Sequence, residues 1–149
     1  MTTSDFKTMS PSGLALTMFY EGCKLEAYQD GGGVWTIGFG HTKDVKQDDK
    51  CTYEQAIDFL QVDILSAVNA VNRLVTVSLN QSQFDALVDF TFNLGTRALT
   101  NSTLLRLLNS GNYEGAALEF HKWNHDNGKE VAGLTKRREA ESKLFESAE

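Results

Sequence analysis

From Ser12 to Glu21 the apolar residues Leu14, Ala15, Leu16, Met18, Phe19 and Tyr20 fall on every side of a helical wheel. This pattern predicts a short helix buried all round, opened by Pro11 after Ser10 and stopped by Gly22, with Glu21 as its last residue. Residues 1–9 are polar and aperiodic and read as a loose leader. After Gly22 the pattern changes: Leu25, Ala27 and Tyr28, then Val34, Trp35, Ile37 and Phe39, flank Asp30-Gly31-Gly32-Gly33. Two short strands joined by a glycine turn follow. Alternation puts Trp35, Ile37 and Phe39 on one face and Val34, Thr36, Gly38 and Gly40 on the other. This small β-lobe, about residues 23–50, closes in the polar stretch from Lys43 to Lys50.

Thr52-Tyr53-Glu54-Gln55 reads as a capping box ahead of apolar positions 56, 57, 60, 64, 67, 68, 71, 74 and 75. The expectation is one connecting helix over about 52–76, roughly 35 Å long at ~1.5 Å per residue. Asn80-Gln81-Ser82-Gln83 opens another helix carrying Phe84, Leu87, Val88, Phe90 and Phe92, which Asn93-Leu94-Gly95 closes. Further helices are expected at Ser102 to Leu108, Tyr113 to Trp123 and Thr135 to Phe145. The order describes a single α+β domain over residues 1–149, its helical lobe spanning about 80–149. In it a long helix joins two lobes and leaves a cleft between them.

Composition narrows the partners. The chain has 149 residues, 14 Lys plus Arg against 20 Asp plus Glu, and a formal charge of −6, which opposes attraction to phosphate backbones. Nucleic acid is therefore excluded as a partner, and a monomer is expected. Near the N-terminus, the apolar run Leu14 to Tyr20 is interrupted by Thr17, whereas a membrane span needs about 20 apolar residues. Neither a membrane anchor nor a basic, cleavable signal is expected, which predicts synthesis in the cytoplasm. Cys23 and Cys51, 28 positions apart, fit no zinc spacing and are read as free thiols, with a bridge after export left open.

Three residues carry the chemistry. Eight residues separate Glu21 from Asp30 and five separate Asp30 from Thr36. Glu21 sits at the negative end of a helix dipole after Met18-Phe19-Tyr20, and both the dipole and apolar burial are expected to raise its pKa, as a general acid requires. Asp30, in a wetter glycine turn, is expected to remain ionised, supplying the second carboxylate of a glycosidic-bond hydrolase. Thr36 offers a hydroxyl beside them, although threonine is common in strands and aspartate in turns. His41 is read as a structural hydrogen-bonder. His121 and His125, four apart, lack an H-E-x-x-H context and are not assigned a metal. No motif asks for a cofactor. Between 129 and 143, Lys129, Lys136, Arg137, Arg138 and Lys143 outnumber Glu130, Glu139 and Glu141. This segment reads as a helix laced by pairs such as Arg137 with Glu141, the alternative being weak contact with an anionic envelope surface. Arg137 or Arg138 is also a candidate to support the Glu21 carboxyl.

These residues resemble the phage-type lysozymes, or endolysins, of glycoside hydrolase family 24. The resemblance rests on Glu21-Gly22, Asp30, Thr36-Ile37-Gly38-Phe39-Gly40-His41-Thr42, Phe92-Asn93-Leu94-Gly95, Thr100-Asn101-Ser102, and Gly133-Leu134 followed by Arg137-Arg138 and Glu141. It implies a lysozyme-like fold and a muramidase cutting the β-1,4 bond between N-acetylmuramic acid and N-acetylglucosamine in peptidoglycan. Glu21 is then the proton donor, Asp30 the second catalytic carboxylate and Thr36 a residue that helps place the water. The family is associated with inversion, which needs room for water between the carboxylates. The resemblance also makes Thr42, Phe92 and Ser102 sugar-contacting residues. Glu119 is a weaker match, because the family pattern there tends to an uncharged polar residue. A holin is implied as the partner that releases the enzyme to the wall. The competing readings are a non-catalytic peptidoglycan-binding domain and a lytic transglycosylase.

Overall fold

The structure, a computed structural model, describes residues 6–147. It contains α1 (Pro11–Glu21), β1 (Lys24–Gln29), β2 (Trp35–Gly38), α2 (Tyr53–Asp63), α3 (Leu65–Leu74), α4 (Gln81–Leu94) and α5 (Thr96–Thr100). After these come α6 (Thr103–Asn109), α7 (Tyr113–Glu119), a 3₁₀ turn at Phe120–Lys122, β3 (His125–Asp126), β4 (Lys129–Glu130) and α8 (Ala132–Glu146). The α+β class follows. Internal contacts divide the chain into two compact units, residues 15–65 and residues 66–149 with the N-terminal part through Leu14. The first unit thus takes in the second half of α1 and all of α2, beyond the expected β-lobe over about 23–50.

In the 15–65 unit, β1 and β2 pair antiparallel, with Tyr28 opposite Thr36 and Gln29 opposite Trp35. The hairpin is extended on either side. Glu26 bridges Lys50, and Ile37 bridges His41. Its core gathers Ile37, Phe39, Ala56 and Leu60. The expected alternation along β2 gives way to four consecutive buried residues, Thr36 to Phe39, because Gly38 turns out of the strand at φ 66° and α2 packs against β2.

Local capping chemistry sets the helix ends. Thr52 and Gln55 form the expected capping box at α2, and Asn80 and Gln83 form its counterpart at α4. Gly95, at φ 99°, ends α4. The connecting helix expected over 52–76 is two helices, divided at Ile64, whose ψ of −14° departs from the ~−42° of a regular helix. Its hydrophobic period runs through the break, with Leu60, Ile64, Ala67, Val68, Val71 and Val75 all buried.

In the other unit, α4 packs on α8 and α6 on α7 around Phe84, Leu87, Phe90, Leu104, Leu108, Phe120 and Phe145. The edge-on ring contacts of Phe90 with Phe120 and Trp123, centroids 5.5 Å apart, fix this core. Two expectations change here. Residues 1–5 of the expected loose leader lie outside the described residues, but 6–9 are pinned rather than loose. Lys7 is bonded in both directions by the Asn72 amide at 2.9 Å, and the Thr8 carbonyl accepts from Gln81 at 2.9 Å. Ser10 then docks on Asp85 through its N–H and hydroxyl, and Gly13 lies so close to Asp85 that any Cβ there would collide. The β3–β4 hairpin was not anticipated. It turns on Asn127 at φ 51° and Gly128 at φ 79°, the left-handed pair that asparagine and glycine favour in tight hairpins.

Candidate active site

Glu21 ends α1, but the helix is not buried all round. Gly13 and Thr17 are buried while Phe19 is 78% exposed, so the apolar surplus of α1 faces outward and Glu21 is half-buried. Its Oε1 faces the turn after β2, where a Cβ built on Gly40 would stand 3.3 Å away. Gly40 has φ 87°, a conformation that side chains other than glycine rarely adopt, so backbone passes directly beside the carboxylate.

That turn is tightly built. Ile37 and His41 exchange two backbone hydrogen bonds of 2.8 Å, closing a loop of Gly38, Phe39 and Gly40 with Phe39 buried. His41 is held by its side chain as well: Nδ1 lies 2.8 Å from Asp63 Oδ2, and the ring stacks on Phe59 at 4.2 Å and 6°. The structural reading of His41 therefore describes its contacts.

Asp30 stands in the exposed turn between β1 and β2. Its Oδ1 accepts hydrogen bonds of 2.9 Å from the N–H groups of Gly32 and Val34, the Asx arrangement that makes aspartate a turn residue. Thr36 is buried and donates its hydroxyl to the Val34 carbonyl at 3.0 Å. One peptide unit and its neighbour at Val34 thus fix both side chains, the N–H holding the Asp30 carboxylate and the C=O holding the Thr36 hydroxyl. With its proton spent on that carbonyl, Thr36 Oγ1 presents lone pairs, the acceptor character needed to orient a water.

Thr42 is exposed, immediately after His41. The remaining named residues belong to the other unit. Phe92 is half-buried near the end of α4. Ser102 caps α6: its Oγ accepts from the Leu105 N–H at 3.0 Å and donates to the Leu99 carbonyl at 2.8 Å. Glu119 is buried and paired with Lys122, whose Nζ lies 2.5 Å from its Oε2. His121 sits in the 3₁₀ turn and His125 in β3, so the two do not share one helix face. Among the described residues no group of three or more His, Cys, Asp or Glu is arranged to hold a metal.

Arg137 and Arg138 are buried in the packing of α8 on α4. Arg137 grips Asp89 with two bonds, Nε to Oδ2 at 3.0 Å and Nη2 to Oδ1 at 2.8 Å. Arg138 donates from Nη2 to Glu141 Oε2 at 2.9 Å and to Asn93 Oδ1 at 2.8 Å; its Nε lies 2.8 Å from Glu141 Oε1 as a charge contact without hydrogen-bond alignment. Arg137 also approaches Glu141 at 3.9 Å, the expected i,i+4 partner, though inside the core rather than on a surface. Burial pushes the Glu141 carboxyl well above the usual carboxylate range, helped by the hydrogen bond and charge of Asp89 and opposed by Arg138 and Arg137. Because both arginines and Glu141 are interior, the exposed charges between 129 and 143 reduce to Lys129, Lys136 and Lys143 against Glu130 and Glu139. Sequence reasoning missed Asp89 and Asp85. The available signal was two acids four apart in the otherwise apolar run from Phe84 to Phe90.

Cys23 and Cys51 are free and half-buried; burial pushes both thiols up, and the neighbouring Cys51 adds to the rise at Cys23.

The endolysin of Acyrthosiphon pisum secondary endosymbiont phage 1 is 47% identical over 144 residues, covering 94% of this chain and 99% of its own length. The muramidase domain of SpmX from Asticaccaulis excentricus superimposes with a TM-score of 0.90 at 39% identity, covering 95% and 99% of the two chains. The endolysin from Escherichia coli O157:H7 phage FAHEc1 gives 0.87 at 39% identity, covering 94% of each. The phage lysozyme family model matches residues 18–141. On that match and those identities, the chain belongs to the phage lysozyme family.

Proposed function

We propose that Glu21, Asp30 and Thr36 carry the reaction of this enzyme, a glycoside hydrolase of the muramidase class that acts as a peptidoglycan-hydrolysing endolysin. The scissile bond is the β-1,4 link from N-acetylmuramic acid to N-acetylglucosamine. Glu21 protonates the leaving glycosidic oxygen, while Asp30 takes the water side as base and Thr36 orients the attacking water. Inversion at the anomeric carbon follows from that division of roles. The observation that carries the reading is the shared anchor at Val34, which holds the Asp30 carboxylate and the Thr36 hydroxyl in one fixed relation. A general base and a water-orienting acceptor require such pre-organisation.

Thr42 and Phe92 are assigned to sugar contacts. Ser102 contributes through the lone pair its capping bonds leave unused. Glu119 is the weaker member, its carboxylate already paired with Lys122. Arg137 and Arg138 support the unit that contains them through their buried ion pairs. Release by a holin, from the cytoplasm to the wall in the periplasm, belongs to the same proposal; among the described residues no helix is long and apolar enough to cross a membrane.

Product analysis tests the assignment. Digestion of defined peptidoglycan is expected to yield fragments with reducing muramic ends carrying the added water. Anhydro-muramic ends would overturn hydrolysis in favour of transglycosylation, and binding without any cleavage would mean a recognition domain.

A further inference from the structure

We propose that Asp63, acting through His41, is a positioning residue that sets the Glu21 carboxyl for proton transfer; this rests on the reading of Glu21 as proton donor. The backbone beside Glu21 Oε1 is Gly40, the last residue of the loop closed by Ile37 and His41. Two glycines at positive φ make that loop soft in itself, since neither brings a side chain to lock it. Its rigidity comes from α2. Gly38 rests on Ala56, where an added Cβ would lie 3.1 Å from the Ala56 Cβ. His41 stacks on Phe59 and bonds to Asp63. Positions 56, 59 and 63 follow the i, i+3, i+7 spacing of one helix face, so a single stripe of α2 grips both ends of the loop.

His41 cannot leave this arrangement to work on a substrate without breaking the Asp63 bond and the Phe59 stack, and its side chain is only 12% exposed. Its contribution is geometric. The Asp63 carboxylate fixes the imidazole, the imidazole fixes the end of the loop, and the Gly40 backbone walls one side of the Glu21 carboxyl. Loss of the tether leaves the acid in place chemically but displaced, and a misplacement of about 1 Å costs on the order of 10²-fold in rate. Of the residues assigned to sugar contacts, only Thr42 adjoins this chain of contacts. The expected signature is therefore a fall in kcat larger than any rise in KM.

The test compares Asp63→Ala and Asp63→Asn with the parent on a soluble peptidoglycan oligosaccharide, at a temperature where circular dichroism shows each protein fully folded. Asp63→Ala is expected to lose roughly tenfold or more in kcat, with a smaller change in KM. Asp63→Asn keeps an acceptor for a protonated Nδ1 and is expected to recover to within about threefold of the parent. Parental kcat in folded Asp63→Ala, or a loss that is confined to KM, overturns the proposal. If Asp63→Ala does not fold, the same criterion applies to Asp63→Leu, which removes the partner of Nδ1 while keeping the side-chain bulk. Glu21→Gln is assayed alongside. If it stays active, the reading of Glu21 has failed; if it is inactive while Asp63→Ala keeps parental kcat, only the tether has failed.

Discussion

Arg137 and Asp89 meet in a two-bond fork, Nη2 to Oδ1 at 2.8 Å and Nε to Oδ2 at 3.0 Å, with the aspartate side chain wholly buried. This pair ties α8 to α4 and cannot be replaced by water. Removing one member of such a pair strands the other charge, at a typical cost of about 3–5 kcal/mol. Asp89→Ala is expected to lose that much in urea denaturation. A loss below about 1 kcal/mol, the value for an exposed pair, would show that the fork is not a buried contact in solution.

Glu141 gives stability a specific pH dependence. Its carboxyl is raised above the ordinary value by burial and by Asp89, so the native state holds the proton more tightly than the unfolded chain. Stability from this group is present below the unfolded value of about 4.3 and is lost as pH rises through the raised native value. Glu141→Gln, uncharged throughout, removes that segment. Urea midpoints measured from about pH 4 upward are expected to shift in favour of the variant as pH rises. Parallel profiles would contradict the assignment.

Gly38 is constrained twice, by φ 66° and by Ala56. Gly38→Ala is expected to cost about 1–3 kcal/mol, the range for a side chain forced into a sparsely populated backbone region. A thermal melt unchanged from the parent would show that the turn relaxes.

The two thiols should be sluggish. Burial raises both, leaving less thiolate at neutral pH than an ordinary cysteine. Alkylation of the native protein at pH 7 is expected to run well below the rate in urea, and equal rates would contradict the burial of Cys23 and Cys51.

What the sequence made legible was local. The capping boxes at Thr52 and Asn80, the start at Pro11 and the stop at Gly95 depend on bonds spanning three or four residues, and all four are present. The Asp30 turn is legible for the same reason, since its bonds reach only to Gly32 and Val34. Burial is not local. An apolar α1 read as buried all round because periodicity cannot show which side lacks a covering element, and Phe19 is the result. Arg137 reads as a surface charge because Asp89, its counterpart on α4, is 48 positions away, and Arg138 because Asn93, on the same helix, is 45 positions away. The nearness of Gly40 to Glu21 required knowing that Ile37 and His41 close a loop. The Asn127-Gly128 hairpin leaves little hydrophobic pattern to read, its flanking strands being only two residues each.

The central claim is that Glu21 is the proton donor of a peptidoglycan hydrolase, and the most direct measurement is the rate of reducing-end release from purified sacculi by Glu21→Gln. General-acid catalysis contributes about 10²–10⁴-fold, so the variant should fall by at least about 10²-fold while melting like the parent. Undiminished release by folded Glu21→Gln would contradict it.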